Sequence, residues 1–520
     1  MSYFLFELFF AIFLGILAYY AYFKLYISKY WKNHNVFHVE PIFIVGNTYN
    51  ASITKNLWEI INDFYFNWKE KKMIGIWSFS FPILIPADLT IIKNILIKDF
   101  DYFQDHGPLP NINREPLTGH LFNLTGAKWR NLRVKLTPTF TSGKMKNMFP
   151  LMVECGNLLK NYMDDNIGQE NSIEVKEVLC RFTTDIITSC AFGIESNSLK
   201  NPDSEFRKYG KKVFDAEGIR RFIVVFFNLS PKLFDIIRLR IIQKDATDFF
   251  LNAVQETIEY RQKNNIKRND FLQLLIQLIN NGKLDDVDNI KEGGEDINEK
   301  NTQSSDDIKF GLKEAAAQAF VFFLAGFEAS STTMTFALYE LARNEDVQEK
   351  LIDEIDRILI KYDNKITYEG ISEMHYLDWV IRETLRKYPP LPILTRICNK
   401  DYKVPDTDVV IKKGTNVFIP AYGIQRDPKI YPDPEKFDPM RHAPEEKSKR
   451  ENISALYFGE GPRICIGNRF GLLQVKVGLL TLLSSYRVSP CEKTPSQLKF
   501  NVGNFVLTVE GGMHLNFKKR

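Results

Sequence analysis

The sequence predicts a mainly α-helical protein with a small β-rich subdomain and a single N-terminal transmembrane helix. Three observations carry that prediction. Across residues 3–23 only Glu7 is charged, and at ~1.5 Å per residue such a helix spans the ~30 Å hydrocarbon layer of a bilayer. Farther on, apolar residues recur at helical spacing over residues 175–192, 249–279 and 310–341. Between residues 35 and 100 the pattern shortens to strand length, with 74–79 and 83–85 reading as a hairpin-like pair bounded by Pro82 and Pro86. The 520 residues divide into an anchor with its basic flank, 1–34, and one large folded unit, 35–520.

Composition narrows the function. Apolar residues make up 44% of the chain, enough for a sizeable core. Lys and Arg number 68 against 64 Asp and Glu, a balance of +4 that argues against a nucleic-acid binder held by bulk charge. The six cysteines, at 155, 180, 190, 398, 465 and 491, form no CxxC pair and no dense cluster. That is the usage of a reducing compartment, so the folded unit is expected to face the cytosol.

The apolar run is followed directly by Lys24, Lys29 and Lys32, which assigns its C-terminal flank to the cytoplasmic side. A cleaved signal peptide would carry a basic stretch before the run and small residues after it, and a mitochondrial presequence would be rich in arginine. The first arginine is Arg114, and the uncleaved anchor is the preferred reading. After the strands, residues 89–97 read as a helix capped by Asp88. Residues 101–124 are turn-rich, with Gly107, Pro108, Pro110, Pro116 and Gly119. Trp129 and Arg133 then stand i,i+4 on one helix face, an indole N–H and a guanidinium suited to a pair of anionic oxygens. Taken alone they equally fit an arginine snorkelling at the surface. Residues 222–227, FIVVFF, lie between Arg220, Arg221 and Arg238, Arg240, which suits either a buried helix or a segment at a membrane interface. Residues 284–307 read as a solvated acidic linker without chemistry.

The chemistry concentrates in residues 458–467, a glycine-punctuated loop that presents one cysteine and runs into a helical pattern over 469–483. Gly461 and Gly467 suit a sharp turn or a close approach to a large flat ligand. Arg463 places a cation two residues before the Cys465 sulfur, and the N–H groups opening the next helix favour a thiolate there. A lone cysteine is poor material for zinc or an iron–sulfur cluster and good material for one axial bond to haem iron, where a thiolate promotes O–O cleavage. A buried structural cysteine is the competing reading.

The spaced set Phe458-x-x-Gly461-x-Arg463-x-Cys465-x-Gly467 resembles the haem-thiolate signature of the cytochrome P450 family. The run Leu136-Thr137-Pro138-Thr139-Phe140-Thr141-Ser142-Gly143-Lys144-Met145-Lys146, following Trp129 and Arg133, is similar to that family's microsomal arthropod branch. The resemblance covers essentially the whole chain. It implies the cytochrome P450 fold and haem b (iron protoporphyrin IX), with Cys465 as axial ligand of the iron and Trp129, Arg133, Arg396, Arg463 and Phe458 among the cofactor-binding residues. It implies that residues 310–341 cross the distal face of the haem, with Ala325 and Gly326 leaving room for dioxygen and Glu328 carrying protons; an ion-paired glutamate is the alternative there. Ala329 departs from the threonine that the family usually carries, which leaves Ser330, about 100° round the helix, as the neighbouring hydroxyl. Gly326, Glu328 and Ser330 are therefore the candidate catalytic residues.

The resemblance further implies a buried triad of Glu383, Arg386 and Arg441. The last comes from Pro439-Met440-Arg441-His442, where the family's acid and aromatic are not kept. Residues 391–395 and 503–506 correspond to substrate-contacting segments, 101–124 to a mobile one, and 222–227 to a loop dipping into the bilayer. The family's proline-rich hinge after the anchor is thin, with only Pro41 ahead of Gly46. The implied activity is insertion of one oxygen atom from dioxygen into a lipophilic small molecule. Electrons would come from NADPH through NADPH–cytochrome P450 reductase, with cytochrome b5 as a second donor. The implied location is the endoplasmic reticulum membrane, catalytic domain on the cytosolic face. Two alternatives stay open: a haem-thiolate isomerase or dehydratase working without reductase, motivated by Ala329, and a non-catalytic haem or ligand carrier. A requirement for NADPH separates both from the monooxygenase.

Overall fold

The computed structural model describes residues 2–51, 53–108, 110–167, 172–214, 236, 238, 240–282 and 310–520. The 222–227 stretch and the 284–307 linker lie outside the described residues.

Among the described residues, the helices of ten residues or longer are α1 (Ser2–Tyr22), α2 (Leu57–Trp68), α3 (Gly126–Leu136), α4 (Ser142–Asn166), α5 (Val175–Ala191), α6 (Glu205–Phe214), α7 (Lys244–Lys263), α8 (Phe271–Asn281), α9 (Leu312–Arg343), α10 (Glu345–Lys361), α11 (His375–Lys387) and α12 (Asn468–Leu483). Strands β1 (Met73–Ser78), β2 (Phe81–Pro86), β4 (Leu394–Ile397) and β7 (Asn416–Ile419) form one sheet in the order β1-β2-β7-β4. β3 (Ile173–Glu174), β8 (Tyr486–Pro490) and β9 (His514–Lys519) form a second, and β5 (Tyr402–Lys403) with β6 (Val410–Ile411) a third. The mainly α fold with a small β subdomain is the one the sequence predicts.

α9 is the axis of the helical core. It opens where Glu314 accepts from the Gly311 N–H, and from Ala315 to Ala342 its burial is interrupted only at residues 321, 324–326 and 328–329. It is apolar and long enough to cross a membrane, but its apolar window is mostly buried in protein, whereas that of α1 is wholly exposed. Around α9 pack α5, α7, α8, α11 and α12.

Two expectations change. Residues 249–279 form two helices, α7 and α8, because Asn265 takes a left-handed φ of 52° and Asp270 caps a new start by accepting from the Gln273 N–H. Apolar periodicity continues across a break that local capping chemistry makes. Pro82 and Pro86 lie inside β2 and pair with Trp77 and Met73 of β1. Only Ile83 and Leu84 pair with β7 on the other side, so the missing proline N–H groups cost that ladder nothing. Asp88 caps its helix as expected, its side chain accepting from the Thr90 and Ile91 N–H groups.

Candidate functional site

The Cys465 loop is closed by its own backbone. The Cys465 N–H donates to the Phe458 carbonyl at 2.9 Å and the Ile464 N–H to the Gly461 carbonyl at 2.9 Å. Gly461 has a φ of 70°, and a Cβ there would collide with the Leu96 carbonyl, so only glycine fits. Gly467 has a φ of −90° and room for a Cβ, so it serves by its N–H group, which bonds the Cys465 sulfur one residue before α12 begins. Cys465 is exposed although protein surrounds its thiol. Burial pushes the thiol up; the Gly467 N–H and the Arg133 guanidinium pull the other way.

Arg463 is not the cation beside the sulfur. Ile464 is extended (φ −52°, ψ 146°), which turns the chain between Arg463 and Cys465. The Arg463 guanidinium donates to the carbonyls of Gln104 (2.8 Å), Leu121 (3.0 Å) and Leu124 (2.7 Å) and lies 4.1 Å over the Trp129 ring. Arg133, one turn along α3 from Trp129, supplies the nearby positive charge. Trp129 is buried and Arg133 is half-buried beside Cys465.

Arg396 lies on β4, 1% exposed, with Nη1 at 2.8 Å from the Thr395 carbonyl and 3.1 Å from His106 Nδ1; its Nε has no partner. Burial pushes its pKa down to about 10. His106 is stacked on Phe122 at 4.4 Å, and burial, then Arg396 and Arg463, hold it well below the usual histidine range. Sequence reasoning missed His106, because a lone histidine in a turn-rich segment belongs to no spacing pattern. Asp105, 3.6 Å from Arg463, is the carboxylate paired with that guanidinium. A group of buried cations with a donor left over, beside an exposed cysteine, fits a flat ligand carrying two carboxylates and a metal, as haem does.

On the opposite side stands the middle of α9, where Ala325 is exposed within an otherwise enclosed helix. Gly326 has a different neighbour: a Cβ there would come 2.6 Å from Ile187 Cδ1, so its small size lets α5 approach rather than making room for dioxygen. Ser330 does not reach the site. It is buried, and its Oγ donates to Gln474 of α12 at 3.4 Å.

Glu328 is ion-paired, Oε1 accepting from Lys176 Nζ at 2.8 Å. The same ammonium donates to Ser331 Oγ (2.9 Å) and Thr332 Oγ1 (2.8 Å), and Cys180 Sγ lies 3.9 Å from Glu328 Oε2. Burial works against the Lys176 charge, but Cys180 and Glu328 hold its pKa above the usual range. Lys176 and Thr332 also line a surface cleft with Glu174, Thr508 and Gly511, so Glu328 is one side chain away from solvent.

Behind the cysteine loop, Glu383 and Arg386 of α11 are both fully buried and paired twice, at 2.8 and 2.9 Å. His442 Nε2 lies 3.0 Å from Glu383 Oε2 and the Asp438 N–H donates to Oε1 at 3.1 Å. Arg441 also pairs with Glu383, its Nε 3.4 Å from Oε1, and donates to the Asp433 carbonyl, so the expected triad is present and His442 adds a further partner. Burial raises the Glu383 carboxyl, and the His442 and Arg386 bonds outweigh it and bring the pKa to about 2.

The family model for cytochrome P450 matches residues 38–516. "Probable cytochrome P450 6a14" of Drosophila melanogaster is 42% identical over 510 residues, covering 97% of this chain and 97% of its own. "Cytochrome P450 6k1" of Blattella germanica is 40% identical over 509 residues, 97% of this chain and 95% of its own. "Cytochrome P450 6A1" of Musca domestica is 40% identical over 509 residues, with 97% and 96% coverage.

Proposed function

The chain belongs to the cytochrome P450 family, and from that premise we propose that it is a membrane-anchored haem-thiolate monooxygenase acting on a lipophilic small molecule. The observation that carries the reading is an exposed Cys465 with the Arg133 charge beside it, together with the buried Arg396 guanidinium whose Nε is left unpaired. When bound, haem supplies the chemistry that inserts one oxygen atom of dioxygen into the substrate and leaves the other as water.

The chain's own residues do the rest. Cys465 would hold the iron through its thiolate, with the Gly467 N–H and Arg133 stabilising the negative sulfur. Arg396 and Arg133 would hold the haem carboxylates. Arg463, whose donors go to three loop carbonyls, and Phe458, through its own carbonyl, keep the 104–124 segment and the cysteine loop in place. Trp129 supports Arg463 from below. Glu328 accepts from Lys176, which lines the cleft, so that pair offers protons a route from solvent to α9, and Ala325 leaves the facing side open to substrate. Residues 1–34 anchor a catalytic domain spanning 35–520 on the cytosolic face of the endoplasmic reticulum. Electrons arrive from NADPH through NADPH–cytochrome P450 reductase, with cytochrome b5 as a second donor.

Cys465→Ser tests the assignment. The folded variant should lose the red-shifted absorption of the reduced carbon monoxide complex, and survival of that band would refute the ligand. Ala329 and the turned-away Ser330 motivate the isomerase alternative. Reductase-independent turnover of an organic hydroperoxide to a rearranged product, with no product from NADPH and dioxygen, would establish it.

A further inference from the structure

A cavity of about 360 Å³ opens between the 110–124 segment, α3 and the start of α9. On the α3 side Lys128, Asn131, Leu132 and Lys135 line it, an i, i+3, i+4, i+7 set on one helix face. Trp129 and Arg133 each stand one residue on from a member of that set, about 100° round the helix. α3 therefore shows one face to Cys465, through Arg133, and another to the cavity.

The floor is apolar, made by Ile112, Pro116, Leu124 and Phe310. Bonds within the chain hold the walls. The Gly119 N–H donates to the Pro116 carbonyl at 3.1 Å. Gln318 of α9, 1% exposed, donates from Nε2 to the Gly119 carbonyl at 3.2 Å and accepts the Leu121 N–H at 2.9 Å. A braced hollow of this size is the usual form of a small-molecule site. Its rim is cationic. Lys128 and Lys313 are exposed and have no carboxylate partner among the described residues, and Lys135 brings a third charge. Glu314, also on the lining, is spent on the helix start, accepting from the Gly311 N–H at 3.0 Å. One exposed lysine is ordinary. Three around an apolar hollow fit a ligand whose body fills the hollow and whose anionic head meets the ammoniums.

We propose that this cavity binds an amphiphilic organic anion, one carboxylate or sulfonate on an apolar body, as an effector rather than a substrate. The occupant touches Ile112, Pro116 and Leu124 and so braces the 110–124 segment. That segment supports the cysteine loop, since the Leu121 and Leu124 carbonyls accept from Arg463, two residues before Cys465. The site does not depend on which reaction Cys465 serves.

Calorimetric titration of the full chain, with its haem, tests the site with naphthalene sulfonate and with the neutral methyl sulfone of the same body. Phenylimidazole is present throughout to fill the distal face of the haem, and is omitted in one control. One saturable site is expected for the anion, with the same affinity in the control and at least about 10-fold weaker binding of the sulfone. Lys128→Gln with Lys313→Gln should weaken the anion roughly 5–30-fold, as for two exposed charge pairs. Asn131→Glu sets a carboxylate between Lys128 and Lys135 at spacings that favour the helix; it should abolish binding while the thermal midpoint stays at wild type. Amide exchange over 110–124 should slow with the anion in wild type and not in Asn131→Glu. Tighter binding once phenylimidazole is omitted would place the anion beside the haem and overturn the proposal. So would equal affinity for the sulfone, unchanged affinity in Asn131→Glu, or exchange over 110–124 that does not respond. Carbodiimide crosslinks from Lys128 or Lys313 to the acidic 284–307 stretch that persist at saturating anion would give the cavity to the chain itself and overturn it as well.

Discussion

Arg386 and Arg396 are ten residues apart and almost wholly buried, yet their surroundings are opposite. Arg386 meets two Glu383 oxygens and the carbonyls of Gln425 and Pro434, and Glu383 in turn meets His442 and the Asp438 N–H. Arg396 meets one carbonyl and a neutral histidine, keeps an orphaned Nε, and has Arg463 as a neighbouring charge. A buried charge with all its partners belongs to the fold. One with a donor left over has no partner among the described residues and suits a ligand, because an unpaired buried donor costs about 1–3 kcal/mol.

The comparison is broken hardest at Glu383. Glu383→Ala leaves the Arg386 guanidinium without its carboxylate in a fully buried site, and a loss of about 3–5 kcal/mol in urea unfolding is expected. A loss below about 1 kcal/mol would show that the carbonyls alone suffice. The same network sets an acid limit. The folded Glu383 pKa, about 2, lies below its ordinary 4.5, so its contribution is complete above about 4.5 and is lost as pH falls toward about 2. His442 acts in the same direction from a higher pH. Burial lowers its pKa, so the unfolded chain binds that proton more readily, and stability falls as pH drops below 6.5. Unfolding midpoints measured from pH 7 to pH 3 should decline throughout; a flat profile would remove the network's role.

Arg396→Met should do the reverse of Glu383→Ala. Without haem the variant should be as stable as wild type or more so, since an incompletely paired buried cation is removed. Haem retention should weaken roughly 10–100-fold, the ~1.5–3 kcal/mol of a charged hydrogen bond. Titration of the haem-free chain with haem, beside its thermal unfolding, reads both quantities. Destabilisation of the haem-free chain with unchanged haem affinity would place Arg396 with Arg386 as a structural residue.

The smallest effect concerns protons. Ala329→Thr restores a hydroxyl beside Glu328 and should lower hydrogen peroxide released per NADPH while raising product. Ser330→Ala should leave that ratio unchanged, because its hydroxyl faces Gln474. A collapse of coupling in Ser330→Ala would mean that the buried side chain turns during turnover. Lys176→Met should raise peroxide release, and Lys176→Arg should restore coupling.

Much of the site was legible in the sequence. Cys465, Phe458 and Gly461 belong to one loop whose hydrogen bonds run between near neighbours, so their spacing is itself the geometry. The same holds for Glu383 with Arg386 and for Trp129 with Arg133, each within one helical turn. Arg463 shows the limit. Its place in the motif was legible, but the direction of its side chain depended on the extended Ile464 and on carbonyls more than three hundred residues earlier. Gly326 likewise stood out as a glycine inside a helix, and only Ile187 of α5 explains it.

Sequence alone therefore determined the helical body, the short-strand subdomain, the apolar first helix and the cysteine loop, because periodicity and close spacing encode contacts made within a turn or two of chain. The tertiary structure decided the partners. Lys176 reaches Glu328 across 152 positions and His106 reaches Arg396 across 290, while His442 joins Arg386 and Arg441 at Glu383. It also decided that Ser330 faces α12 and that the foot of α1 is wedged by Phe43. Such pairings arise when distant helices and loops are packed into one dense interior, where a side chain's direction is set by the surface opposite it rather than by its neighbours in the chain.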